Sequence, residues 1–447
     1  MRGRLWTFSG SLSAPHLDFH VLLPETIHAM HFKLVAPSAF LVVALFVAIA
    51  AAASVASATT MPPPQPAQAP TAKSAASLPN SLPTNLPALF ARGEAALRDG
   101  NLPQAEKCFR GVIAAAPQSA SAYANLGVIA MRRKEWDHAL AVLQKAHKLD
   151  PQMSGIELNI GLVQFHRANY SAAIEPFSNV VRDQPDSQQA RYLLGLCQVF
   201  TEHHSDAVDT LEPLWDEMSA DVMYLYVLDI AAQSAGQKDL DEKALGRMLQ
   251  IGNNTAEYHL ILAKAYLNRQ ETDKAIAELT KAAAANPAVP FLHFNSGLAY
   301  VRAGDNERAE SEFRQDITLE PDLPDNYEQL GLLYARLQRN DEAEKSFRQA
   351  LRYDSQRPSA LLGLTKLYMQ EQKYKQALVA VDAALKFAPN SQSAHFMRGQ
   401  ALMREGRQEE GRRELAAAQK LLDSGLEKDR AALGENRVPN PELTHQP

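Results

Sequence analysis

Apolar, small and polar positions alternate along this chain in a pattern that repeats. The stretch YANLGVIAMRRKEWDHALAVLQKAHKLDP (residues 123–151) shows the unit: a helical run with an early Leu-Gly pair, a polar turn, a second run carrying an Ala, and a stop at Asp-Pro. Stepping by 34 from Leu86 gives frames that begin at residues 86, 120, 154, 188, 222, 256, 290, 324, 358 and 392. Their eighth position reads Gly93, Gly127, Gly161, Gly195, Asp229, Ala263, Gly297, Gly331, Thr365 and Gly399. The twentieth is Ala in every frame except the fifth, with Asp241, and the tenth, with Gly411. Pro occupies the thirty-second position at 117, 151, 185, 287, 321 and 389. A period that holds over 340 residues without insertion or deletion predicts a stacked array of helical pairs.

Each position has a physical reason. The small residue at position 8 lets two helices approach, at a helix-propensity cost of roughly 1 kcal/mol for Gly. The Ala at position 20 serves the same contact. Large apolar residues at positions 7, 11 and 24, such as Leu330, Tyr334 and Phe347, fill the space around it. Pro at position 32 cannot continue a helix and resets the chain. Polar links such as RDGN (98–101) and REGR (404–407) separate the helices of a unit. The fifth frame, with Asp229 and Asp241 at the small positions and Asn253 in place of Pro, is expected to form a looser pair in which Ala244 takes over the close contact.

The second frame (Tyr123, Leu126, Gly127, Ala139, Ala146, Pro151) and the eighth (Tyr327, Leu330, Gly331, Tyr334, Ala343, Phe347, Ala350) resemble the tetratricopeptide repeat. The resemblance implies an all-α fold: a right-handed superhelical solenoid of about ten 34-residue helix-turn-helix repeats over residues 86–425. It further implies an inner wall built by the first helix of each repeat, at positions 2, 5, 6, 9, 12 and 13. On that wall the candidate partner-binding residues are Leu158, Leu162 and Phe165, then Tyr192, Leu196 and Val199, Tyr226 and Ile230, and Phe294 and Leu298, an apolar and aromatic stripe of the kind that marks partner sites. Asn125, Asn159 and Asn295 share position 6, where some members of the family use Asn to bond the backbone of an extended peptide. Here the ladder is interrupted by Leu193, Val227, Ile261, Gln329, Gly363 and Met397. Lys264, Arg302, Arg336, Lys366 and Arg404 are spread over distant frames and meet acidic groups only singly.

The ends read differently. No charged residue occurs between Leu34 and Ala72, and the apolar run after Lys33 closes on Ala56-Ser57-Ala58, a small-x-small cleavage pattern. Residues 30–58 are therefore expected to be a signal peptide or, uncleaved, a membrane anchor through residues 34–58, with residues 1–29 an extension ahead of a second start at Met30. Either way the array is exported, to the periplasm or anchored in the inner membrane if the source is a Gram-negative bacterium. Residues 59–85, rich in Pro and Ala, read as a disordered tether, and residues 426–447 as the end of a capping helix and a tail.

Composition narrows the function. A net charge of -6 argues against a nucleic-acid partner. Cys108 and Cys197 lie in non-adjacent frames and read as small buried hydrophobes. Nucleotide-loop, metalloprotease, Cys-x-x-Cys and serine-hydrolase signatures are missing, and His203-His204 beside Glu202 falls in a turn rather than on one helix face. The expected protein is not an enzyme and carries neither cofactor nor metal. It is a scaffold that binds a partner protein or extended peptide in its groove; the alternative is an accessory subunit of a cell-envelope assembly for polysaccharide export or secretion.

Overall fold

The computed structural model describes residues 85–435, with side chains to residue 424. The expectations for residues 1–84 and for the tail after residue 435 lie outside the described residues. All regular structure among the described residues is helical, in consecutive pairs, and it divides into two compact units between Pro290 and Phe291. The first unit holds α1 (Leu86–Arg98) and α2 (Leu102–Ala115), α3 (Ala120–Arg132) and α4 (Trp136–Leu149), α5 (Ser154–His166) and α6 (Tyr170–Asp183), and α7 (Gln188–Phe200) with the short α8 (His204–Leu211) and α9 (Trp215–Met218). It ends with α10 (Val222–Ser234) and α11 (Lys238–Ile251), then α12 (Ala256–Asn268) and α13 (Thr272–Ala285). The second unit holds α14 (Leu292–Ala303) and α15 (Asn306–Leu319), α16 (Pro324–Arg336) and α17 (Asn340–Tyr353), α18 (Pro358–Gln370) and α19 (Tyr374–Phe387), and α20 (Gln392–Arg404) and α21 (Gln408–Glu435).

The 34-residue frame is kept to the residue. Every first helix but α14 begins on the frame's first position, and every second helix begins on its seventeenth. The turn between them has one geometry throughout, with the fifteenth residue left-handed in all ten frames. Gly supplies it at Gly100, Gly236, Gly304 and Gly406; Lys134, Ala168, Glu202, Gln270, Gln338 and Gln372 adopt it at φ between 55° and 63°. Left-handed backbone costs an L-residue roughly 1–2 kcal/mol, part of which is returned by the greater freedom Gly has when unfolded. Replacing Ala168, Gln338 or Gln372 by Gly is therefore expected to stabilise the protein by about 0.5–1 kcal/mol each, read as a rise in thermal midpoint; a fall would show that those side chains make contacts worth more than the strain.

Packing confirms the close approach and identifies its partner. A Cβ built on Gly127 would lie 2.5 Å from Leu143, on Gly161 2.6 Å from Phe177, on Gly297 2.5 Å from Phe313 and on Gly331 2.7 Å from Phe347. Position 8 thus receives the large side chain of position 24, and the Ala at position 20 is wholly buried beside it in frame after frame. Successive repeats are tied at the preceding Pro: the side chain at position 4 bonds the carbonyl of position 32, as Arg191 to Pro185 (3.0 Å), Tyr327 to Pro321 (2.8 Å) and His395 to Pro389 (2.9 Å). A second recurring tie joins the two helices within a repeat: the position-4 His meets the position-23 Glu in His259–Glu278, His293–Glu312 and His395–Glu414, at 2.6–2.7 Å.

Three frames depart. Pro213 removes a helical hydrogen bond and breaks the second helix of the fourth frame into α8, a 3-10 turn (Glu212–Leu214) and α9. At the start of the seventh frame Phe291, after Pro290, takes the left-handed conformation at φ 63°, so α14 starts two residues late. The fifth frame keeps its pair, and Ala244 is fully buried as expected. What holds it is a buried charge cluster: Arg269, one frame later, reaches back to both Asp229 and Asp241, at 2.9 Å from its Nη1 to Asp229 Oδ2. Burial pushes the Asp229 carboxyl up to about 7 against the lowering pull of Arg269. Cys108 and Cys197 are free and buried, and burial pushes the Cys197 thiol well up.

Candidate functional site

The candidate residues divide by exposure. Asn125, Leu158, Asn159, Leu162, Phe165 and Leu298 are half-buried. Tyr192, Leu196, Val199, Tyr226, Ile230, Phe294 and Asn295 are buried, which corrects the expectation that they form an exposed stripe. The reason is the tightness of side-by-side first helices. Tyr226 is covered from the next first helix, where Asn268 Nδ2 donates to its hydroxyl at 3.4 Å and Lys264 Nζ lies 5.5 Å from its ring. Tyr192 packs near Tyr224, and Phe165 lies in an aromatic group with Tyr170 and Phe200. Phe294 packs with Phe313 in the core of the second unit. Lys264, counted among the inner-wall cations, is itself buried, and burial lowers its ammonium well below the usual range.

The asparagines are partly spent on their own helices. Asn125 Nδ2 donates to Ser121 O at 2.9 Å and Asn295 Nδ2 to Phe291 O at 2.7 Å. Each bond ties the amide to its own helix and uses one of its two N–H donors, and Asn295 is buried besides.

Exposed apolar side chains of the first helices lie instead in the second unit. Leu332 is 45 % exposed and Phe396 44 %. Leu332, Lys366 and Gln400 share position 9 on α16, α18 and α20, first helices that touch one another in sequence order. Leu362 and Phe396 share position 5. Lys366 and Arg404 are exposed and form no ion pair among the described residues. Beside them opens a pocket of about 410 Å³ lined by Met369, Tyr374, Gln400, Met403, Arg404 and Leu415. Sequence reasoning missed this patch because it favoured the richest aromatic run, much of which is rich because it is core.

No group of His, Cys, Asp or Glu that would hold a metal ion occurs among the described residues. His203 accepts or donates at 2.8 Å to Thr201, beside the left-handed Glu202, and serves the turn.

Comparison with known proteins agrees with this architecture. A family model described as a tetratricopeptide repeat matches residues 90–154, and one described as the C-terminal domain of cilia and flagella-associated protein 70 matches residues 216–435. Solved structures similar to the chain include yeast Tom70 (12 % identity, 80 % of this chain and 97 % of that one, TM-score 0.39). Others are a tetratricopeptide repeat protein of Parabacteroides merdae (16 %, 64 % and 98 %, TM-score 0.41) and human IFIT1 as a dimer with m7Gppp-AAAA (15 %, 74 % and 80 %, TM-score 0.44). No curated protein matches the chain. The repeat grammar, the ten helical pairs and the family matches together define a helical-repeat protein of the scaffold type. The chain carries tetratricopeptide repeats, matched as such at residues 90–154 and continued in the same 34-residue frame over the described residues.

Proposed function

We propose that this protein is a non-catalytic scaffold that binds a segment of a partner protein on the first-helix face of its second unit. Tetratricopeptide arrays generally bind protein or peptide partners. The observation that carries the placement is the row at Leu332, Leu362 and Phe396, of which Leu332 and Phe396 are the large apolar side chains of the first helices left exposed among the described residues. Serine at Leu332 and Phe396 is expected to weaken partner capture about tenfold or more while leaving the helical signal unchanged, since both side chains are already exposed. Crosslinking in the native host followed by mass spectrometry reads this. Capture that survives there but is lost with serine at Leu158 and Leu162 would move the interface to the first unit.

Export is the second element of this reading. The uncharged run from Leu34 to Ala72, following Lys33, is the supporting observation. Residues 34–58 then act as a cleaved signal or as the tether of an envelope-facing array, and the partner is met outside the cytoplasm. N-terminal sequencing of the mature protein distinguishes them: a chain starting at Thr59 is cleaved, and a chain retaining residues 34–58 is anchored. A mature protein found wholly in the cytoplasm overturns export.

A further inference from the structure

Carboxylates, though not cations, are sorted between the two helix layers of the second unit. The second helices carry its carboxylates, among them Glu307, Glu310 and Glu312 on α15 and Asp341, Glu342 and Glu344 on α17. On the first helices α14, α16, α18 and α20 the carboxylates are Asp325 and Glu328 alone. Both are withdrawn from any ligand by Arg357, which bonds Asp325 and Glu328 at 2.8 Å each, with all three side chains nearly buried. The cations of the same layer are treated the opposite way. Arg398 is paired to Asp382 and Glu414 of the second-helix layer, but Lys366 and Arg404 are left in solvent, and Arg302 and Arg336 are exposed at position 13. The face therefore presents apolar side chains and positive charge with its own negative charge neutralised from behind. The pocket of about 410 Å³ adds a place where Met369, Met403 and Leu415 receive an apolar group next to the Arg404 guanidinium.

We infer that the occupant of this face is an acidic protein segment whose carboxylates alternate with apolar anchors. The inference rests on the scaffold reading above and specifies its partner. Carboxylates of the segment would meet Lys366 and Arg404, and a neighbouring Leu- or Phe-sized side chain would enter the pocket against Met369, Met403 and Leu415. A basic segment would meet uncompensated repulsion, because the only carboxylates of the layer are already engaged.

The test is a random peptide library displayed on phage and panned on the full chain, followed by anisotropy titration of the enriched peptides. Enrichment of Asp and Glu interleaved with Leu, Phe or Met is expected, with affinity falling as salt rises. The double substitution Lys366→Glu, Arg404→Glu should weaken those peptides about tenfold or more. It should not move the thermal midpoint, since both side chains are exposed and neither forms an ion pair among the described residues. Enriched peptides that are neutral or basic, and insensitive to the double substitution, overturn the acidic assignment and leave the scaffold reading standing. No enrichment at all, together with unaltered crosslinking of the serine variants at Leu332 and Phe396, overturns both. Displacement of the peptides by a single-stranded oligonucleotide at lower concentration would reassign the cations to a nucleic acid.

Discussion

Arg269→Ala is expected to destabilise the first unit by about 3–5 kcal/mol, far more than an average substitution, because it strands a buried carboxylate. Asp229 stands where seven of its nine counterparts are Gly, on the tightest face of the repeat, and is wholly buried. Asp241 stands where they are Ala. Neither is tolerable alone; the guanidinium of Arg269 bonds both. The effect has a sign in pH. Burial already raises the Asp229 carboxyl to about 7, opposed by Arg269, so the folded state holds that proton more tightly than the unfolded chain, and this group's stabilisation is present below about 4 and lost as pH rises through about 7. Without Arg269 the carboxyl rises further, and the loss should be smaller at pH 5.5 than at pH 8. Hydrogen exchange across α10–α13, which resolves local opening in an array that need not unfold as one unit, is the measurement. Restoring the small residues in the triple variant Asp229→Gly, Asp241→Ala, Arg269→Leu should return stability to the natural level or above. An equal loss at both pH values would show that Arg269 acts by packing alone.

Phe347→Ala is expected to cost the second unit about 3–5 kcal/mol. The ring is fully buried and held between two glycines, Gly331 of its own repeat and Gly363 of the next, with built Cβ atoms at 2.7 Å and 2.5 Å from ring carbons. Glycines have no side chain to move into the space, so the cavity persists and the full penalty is paid. The same geometry predicts a reversal. Gly331→Ala destabilises the natural protein by overpacking, by about 1–3 kcal/mol, but stabilises the Phe347→Ala variant by filling part of its cavity. Urea unfolding of the four proteins of this cycle gives the coupling directly; additive effects would mean that the ring and Gly331 are not in contact.

Much of the fold was legible because it is written one repeat at a time. Gly at 8, Ala at 20 and Pro at 32 are local requirements of a helical pair, and a local requirement leaves a mark at a fixed spacing. The left-handed residue at position 15 left almost none, since Lys134, Glu202 and Gln338 do not announce a positive φ as Gly100 does. The His–Glu ties at positions 4 and 23 were equally hidden: His259, His293 and His395 each have their Glu nineteen residues on, but nothing in the hydrophobic pattern marks the pair.

The site was the least legible part. Tyr192, Tyr226 and Phe294 sit at inner-wall position 5 yet are buried, whereas Phe396 at that same position, and Leu332 at position 9, are open. Exposure at those positions depends on the neighbouring first helix, which the spacing alone does not describe. The sequence by itself determined the repeat length, the helical pairing, the family and the residues at each close contact, because each of these is settled within about forty residues of chain. Only the tertiary structure decided which first helices close over one another, that Arg269 rescues the fifth repeat, and that Arg357 withdraws the carboxylates from an otherwise cationic face. Those outcomes depend on side chains brought together from different repeats, and their energies belong to the contact rather than to either residue.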